Sequence, residues 1–171
     1  RKTYLWVELG LQTVHETTAS FIQRSYPLSN FNEAVRNLSK RNIETVVHLI
    51  LGLPGENKAD MLSSVKYISK QPLQGVKLHL LHILKNTPLE KQYEKKPFPI
   101  FTMDEYIDLV IDCLELLPPH MVIHRMTGDG PKALLIAPFW SKNKRAVLNG
   151  IHKRLKERNT WQGKLYGIPC M

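Results

Sequence analysis

Residues 43–56 read Ile-Glu-Thr-Val-Val-His-Leu-Ile-Leu-Gly-Leu-Pro-Gly-Glu. The first nine are β-branched and almost continuously apolar, the pattern of a central strand buried on both faces. The run stops at Gly52-Leu53-Pro54-Gly55, where glycine permits a sharp turn and proline cannot extend a hydrogen-bonded ladder. From about Lys58 to Lys70, Met61, Leu62, Val65 and Ile68 recur at helical spacing, and Pro72 ends the segment. A strand, a tight turn and a helix in this order form one half of a βαβ unit.

The flanking segments complete the pattern. Upstream, Tyr4–Leu11 is short and apolar and reads as a strand. Thr13 to about Arg24 is compatible with a helix broken by Pro27. Asn30 followed by Glu33 resembles a capping box, with Phe31, Ala34, Val35 and Leu38 as the apolar face of a second helix. Downstream, Gly75–Leu84 reads as a third strand. Strands alternating with helices of this length predict a parallel sheet and an α/β fold. After Asn86 the rhythm changes. A polar stretch (Glu90–Pro99) precedes an amphipathic helix at about Met103–Leu117, a short strand at Val122–Met126 and the loop Thr127-Gly-Asp-Gly-Pro131. Ala133–Ala137 fits helix or strand, and a basic helix spans about Lys142–Arg158.

Composition narrows the function classes. With 43% hydrophobic and 23% charged residues in 171, the chain can bury a core, which excludes disorder as a description of the whole. No apolar run approaches the roughly 18 residues of a membrane span. Two cysteines, Cys113 and Cys170, make neither a disulfide framework nor a metal site, and a reducing, cytoplasmic setting is expected. The net charge of +9 is unevenly distributed. Residues 1–140 hold 16 basic and 14 acidic side chains, whereas residues 141–171 hold 8 basic ones and only Glu157. That asymmetry suggests a polyanionic partner, with a solvated basic helix as the plainer alternative.

In parallel α/β folds, functional groups gather at the carboxyl ends of strands. The three expected ends carry Glu8, Gln12 and Thr13; His48 and the Gly52–Glu56 turn; and His79, His82, Lys85, Asn86 and Thr87. A shared site is expected there. The GLPGE turn brings backbone N–H groups close to a ligand, but it lacks the Lys-Ser/Thr pair of a phosphate-binding loop, so nucleotide hydrolysis is not supported. His79 and His82, three apart on one strand, face opposite ways, which argues against a shared metal.

The runs "WVELGLQT", "VHLILGLPGE", "GVKLHLLHILKNTPL", "LELLPPHMVIHRMTGDGP" and "LIAPFWSKNKRAVLNGI", with Arg24 between the first two, resemble the later half of a radical S-adenosylmethionine (SAM) protein of the Elp3-like group. The resemblance covers nearly the whole chain. It implies half of a partial TIM-type (β/α)6 barrel (parallel strands four to six, residues 1–88) followed by a helical C-terminal extension with the basic helix (residues 89–171). It implies S-adenosylmethionine and a [4Fe-4S] cluster as cofactors. The CxxxCxxC cluster loop is absent from this sequence, so the chain is expected to be a piece whose partner is the missing N-terminal half of the same protein, and to be inactive alone.

By the same resemblance, Gln12 meets the SAM ribose, Arg24 the SAM carboxylate, and Gly52, Leu53, Gly55 and Glu56 pack near the cofactor. Leu81, His82 and Ile83 stand where the family contacts adenine, and Glu8 joins the set. His48 occupies a region where some relatives carry Asp. The Elp3-like likeness together with the basic tail implies tRNA as substrate, with Lys153, Arg154, Lys156 and Arg158 on phosphates and Trp140 or Trp161 available for stacking. Lys142, Arg145, Lys153 and Lys156 are expected on one face of the basic helix, opposite Leu148, Ile151 and Leu155. An exposed strand edge leads to an expectation of self-association. A second reading stays open: a non-catalytic basic α/β module that binds RNA or a protein partner.

Overall fold

The structure is a computed structural model that describes residues 4–128 and 130–168. The Gly-Leu-Gln end of the first apolar run closes β1 (Trp6–Gln12), and the segment read first above is β2 (Glu44–Leu51). β3 (Gly75–Leu80) follows, then β4 (Ile83–Leu84), β5 (Val122–Arg125) and β6 (Leu135–Ala137). Four of them make one parallel sheet in the order β1-β2-β3-β5, and β4 pairs antiparallel with β6. The expected α/β architecture is therefore present, with a parallel sheet of four strands. The fourth, β5, comes from the segment assigned above to the extension, because Val122 N–H donates to Gln74 O and sets the strand beside β3.

The helices are α1 (Glu16–Phe21), α2 (Leu28–Ser39), α3 (Lys58–Ile68), α4 (Pro88–Lys95), α5 (Met103–Leu116) and α6 (Lys144–Glu157). Local chemistry sets their starts. Asn57 and Asp60 form a reciprocal capping box on α3, and Thr102 and Glu105 do the same on α5. α2 departs from the sequence expectation: it starts at Leu28 after Pro27, not at Asn30. Proline fixes the entry, and the cap comes from another element, since Leu28 N–H donates to Glu16 Oε1 at 2.6 Å. α4 lies inside the polar stretch that the pattern leaves unstructured. It buries no residue, so it has no apolar stripe to read, and Thr87 caps it through Glu90 N–H.

The core lies on one face of the sheet. Val47, Leu49 and Leu51 of β2 and Val76, Leu78 and Leu80 of β3 pack against Phe31 and Val35 of α2, Met61, Val65 and Ile68 of α3, and Val110, Ile111 and Leu114 of α5. Burying each such aliphatic side chain contributes roughly 1.5–3 kcal/mol. The opposite face is only partly covered. His48 and Ile50 of β2, and Lys77 and His79 of β3, are half-buried there. β2 is thus not dry on both sides as its composition suggested. Among the described residues no helix is long and apolar enough to cross a membrane.

Candidate functional site

The end of β1 is held in an unusual backbone shape. Gln12 has φ +67°, a left-handed conformation uncommon for a residue with a Cβ, and the ladder with β2 shifts register between Leu9 and Gln12. The Gln12 amide folds back over Gly10, where a Cβ would come within 2.7 Å of Nε2. Arg24 fixes this turn. Its Nη1 donates to Leu11 O (3.0 Å) and Thr13 O (2.7 Å), its Nε to Tyr26 O (2.9 Å), and its Nη2 pairs with Glu16 (3.0 Å). The Arg24 side chain is only 3% exposed. Four of the five guanidinium N–H groups therefore serve protein oxygens, and Arg24 shapes the segment that presents Gln12. A ligand carboxylate reaching it meets the remaining N–H or displaces one of these partners.

At the carboxyl ends of β2 and β3 lies a cavity of about 270 Å³ lined by Ile50, Leu53, Leu81, Gln23, Thr87 and Leu89, among others. Gly52 makes the approach possible. Its φ is +91°, and a Cβ there would lie 3.1 Å from the Phe101 ring and 3.8 Å from Leu81 Cβ. The whole GLPGE turn, Gly52 to Glu56, lines a second cavity of about 240 Å³ with Phe98–Phe101, and Leu53 borders both cavities. Glu56 accepts a hydrogen bond from Thr13 Oγ1 at 2.5 Å, joining β1 to the start of α3. Burial raises the Glu56 carboxyl above its ordinary range, with the Thr13 hydroxyl working against that rise.

Leu81 and His82 form a two-residue break between β3 and β4. Leu81 N–H donates to Leu51 O at 2.9 Å, Ile83 is fully buried, and the His82 ring lies against the glycine loop. A Cβ on Gly128 would sit 2.2 Å from His82 Nε2, and one on Gly130 would sit 2.8 Å from Nδ1. The glycines of the Thr127–Pro131 loop thus leave room for the His82 ring. The structure brings Leu53 and Leu81 into one cavity, with Gln12 at the adjoining strand end and Gly52 against Leu81. Glu56 and Ile83 point elsewhere.

Glu8 belongs to a different group, a polar row across the open face of the sheet. Its Oε2 accepts from Lys77 Nζ (2.5 Å) and meets His48 Nε2 (2.8 Å), and its Oε1 accepts from Trp6 Nε1 (3.2 Å). The hydrogen bond from Lys77, then that from Trp6, hold the Glu8 carboxyl at about 2. The His48 and His79 rings are 5.1 Å apart. Burial first, then the charges of His48, Arg125 and Lys77, push His79 down to about 4. Sequence reasoning noted His48 and His79 but did not single out Lys77. The available signal was its register, since β-strand alternation puts Lys77 and His79 on one face.

The basic helix is not arranged as expected. Val147 and Ile151 are buried and Leu155 packs against the core, while Leu148 is exposed. The Arg154 guanidinium pairs with Asp108 and Glu157, and Arg158 reaches Asp112 (2.7 Å) and Glu115 (3.2 Å). Both arginines fall on the α5-facing side because 151, 154, 155 and 158 repeat at helical spacing. Of the four residues expected on phosphates, these two are half-buried and ion-paired to acids of α5. Lys153 is exposed with a 3.5 Å pair to Glu157, and Lys156 is exposed. Trp140 is turned inward, its Nε1 donating to Phe101 O at 2.8 Å, whereas Trp161 is exposed. Among the described residues, no group of three or more His, Cys, Asp and Glu is placed to hold a metal ion. Cys113 is buried in α5, and Cys170 lies outside the described residues.

Comparisons with known proteins agree with this geometry. Residues 2–68 match the family model described as the radical SAM superfamily, and residues 73–157 match the radical SAM C-terminal domain. The uncharacterised protein YtqA of Bacillus subtilis is 48% identical over 165 residues, covering 96% of this chain and 51% of YtqA. The tRNA uridine(34) acetyltransferase of Methanocaldococcus jannaschii is 21% identical over 133 residues, covering 76% of this chain and 25% of that protein. Among solved structures, the Elp3 of Methanocaldococcus infernus, with an N-terminal deletion, superposes with a TM-score of 0.80 at 17% identity, covering 92% of this chain and 37% of that one. The chain spans about half the length of the curated relatives it matches at higher identity. Two adjoining models that together take in most of the sequence, on a parallel sheet with an Elp3-like course, establish that the chain belongs to the radical SAM superfamily.

Proposed function

We propose that this chain forms the SAM-binding later part of the catalytic barrel of a tRNA-modifying radical SAM enzyme. The observation that carries the reading is the cavity at the strand ends, walled by Ile50, Leu53 and Leu81 and lined also by the amides of Gln23 and Gln92. An apolar slot beside a polar amide suits a nucleoside, with its flat base and its hydroxyl-bearing sugar. Gln12 would hold the ribose, and the Gly52–Leu53 turn and the Leu81–Ile83 edge would enclose the base. When bound, the cofactor supplies hydrogen-abstraction chemistry; these residues orient it and keep water away. The cluster does not fit the residues present: Cys113 is sealed in the core with its thiol pushed up by burial, so no step is assigned through a cluster on this chain.

Two features support tRNA as the substrate: the excess of basic residues after position 140 and the similarity to a tRNA uridine(34) acetyltransferase. Lys153 and Lys156 are the cations of the original four that face outward, and Trp161 offers an exposed ring. Calorimetric titration of SAM into the chain tests the cofactor reading. Binding is expected, weakened about tenfold or more by Gln12→Ala, whose loss of one hydrogen bond to a neutral group is worth about 0.5–1.5 kcal/mol plus any loosening of the turn. Binding that is absent, or unchanged in both Gln12→Ala and Leu81→Arg, overturns it. RNA binding without SAM binding would favour the non-catalytic module instead.

A further inference from the structure

The polar row on the open face of the sheet extends across all four strands, and the cofactor reading engages none of it. His48 on β2 stands opposite Lys77 on β3, and Lys77 opposite Arg125 on β5. His79 is two residues beyond Lys77 on the same face, and the His124 ring lies over Gly75, where a Cβ would come within 2.6 Å of it. Glu8 is the acid of this row, and it is fully engaged: both of its oxygens are hydrogen-bonded, to Lys77 and His48 on one side and Trp6 on the other.

Lys77, His48 and His79 hold unused capacity. An ammonium has three N–H donors, and Lys77 gives one to Glu8 and makes no other hydrogen bond among the described residues. His48 uses Nε2 on Glu8 and no hydrogen bond on its second nitrogen among the described residues. His79 Nε2 is buried with no hydrogen-bond partner among the described residues. Buried polar atoms are rarely left so, and the unpartnered His79 nitrogen beside cationic Lys77 asks for a ligand with negative charge and several lone pairs.

We infer that this row is a subsite for an oxyanion, a carboxylate or phosphate group carried by the substrate, received by Lys77, His48 and His79 next to Arg125. That the occupant belongs to the substrate rests on the radical SAM reading; that an oxyanion binds does not. Burial first, then the charges of His48 from β2, Arg125 from β5 and Lys77 from its own strand, disfavour the charged His79 ring, and Glu8 from β1 works against them. An arriving oxyanion offsets those cationic charges, so binding favours the protonated His79 ring and raises its titration midpoint.

The test follows the imidazole nitrogen resonances of His48 and His79 in the chain while inorganic phosphate or, separately, acetate is added at pH 7. The expected result is a saturable shift of both rings, a rise of at least one pH unit in the His79 midpoint at saturation, and affinity at least tenfold weaker in Lys77→Gln. Saturation by phosphate alone assigns a phosphate-bearing group, and by acetate alone a carboxylate. Since Lys77→Gln leaves Glu8 without its cation, the double variant Glu8→Gln/Lys77→Gln provides a neutral row if the single variant does not fold. Rings that do not respond to either anion, or a response unaltered in whichever of these variants is folded, overturn the subsite. SAM added afterwards should leave the anion in place; displacement of the anion by SAM overturns the substrate assignment. Absence of SAM binding with the anion response intact leaves the subsite standing and removes only the cofactor reading.

Discussion

Arg24 shows how much can hang on one side chain. Its guanidinium satisfies three backbone carbonyls, Leu11 O, Thr13 O and Tyr26 O, around the Gln12 turn. Arg24→Ala leaves these acceptors without that partner, and a loss of about 2–3 kcal/mol in urea unfolding is expected, together with weaker SAM binding through Gln12. Arg24→Lys should recover part of the stability, since an ammonium reaches fewer of the carbonyls. His79 gives a pH signature. Its folded midpoint, about 4, lies below the ordinary 6.5, so the unfolded chain binds more protons between those values. Stability should therefore rise with pH across that window, and His79→Gln should flatten the slope measured by thermal melts from pH 4 to 6.5. Glu8, held at about 2, acts in a lower window: its contribution is present above the ordinary carboxylate value of 4.5 and is lost as pH falls toward 2.

At the scale of elements, the pairing of α5 with α6 decides what the basic tail can do. Ile151 and Val147 bury the apolar side of α6, and Arg158 crosses to Asp112 and Glu115, with Thr160 Oγ1 also donating to Glu115 at 2.5 Å. Arg158→Glu places a carboxylate against two others. A loss of about 3 kcal/mol or more is expected in chemical denaturation, from breaking a largely buried ion pair. Lys156→Glu changes an exposed position and should move stability by less than about 0.5 kcal/mol. If RNA is the partner, Lys153→Glu with Lys156→Glu should weaken RNA binding and reduce its salt dependence, read by fluorescence anisotropy, while the fold stays intact. Reversal of all four basic residues would confuse the two effects.

For the whole molecule, β1 is an edge of the sheet, and Tyr4, Leu5 and Trp6 at its start are 68%, 60% and 47% exposed. An edge strand with unpaired backbone groups and exposed aromatic side chains is a site for another chain. We expect concentration-dependent self-association of the chain in light scattering, reduced by Trp6→Lys, which charges the edge. A monodisperse monomer at high concentration would contradict this expectation. The open polar face lies next to the same edge, so whatever covers β1 also borders the Glu8 row.

The local sequence determined the order of strands and helices, the parallel α/β course and the family motifs, because apolar periodicity and Gly-Pro punctuation act over a few residues. It marked Gln12, the GLPGE turn and His82 as strand-end residues, and Leu81 came only from the family resemblance. Only the tertiary structure decided their employment. Glu56 turns to Thr13 across 43 positions of sequence, α2 takes its cap from Glu16, and Arg154 and Arg158 bind acids 43 to 46 positions upstream. It also decided that Lys77, His48 and Glu8 share one row, through a strand register that sets Lys77 beside His48. Such partners are chosen by the packing of distant segments, and charge composition gives the number of ionic groups but not which will meet.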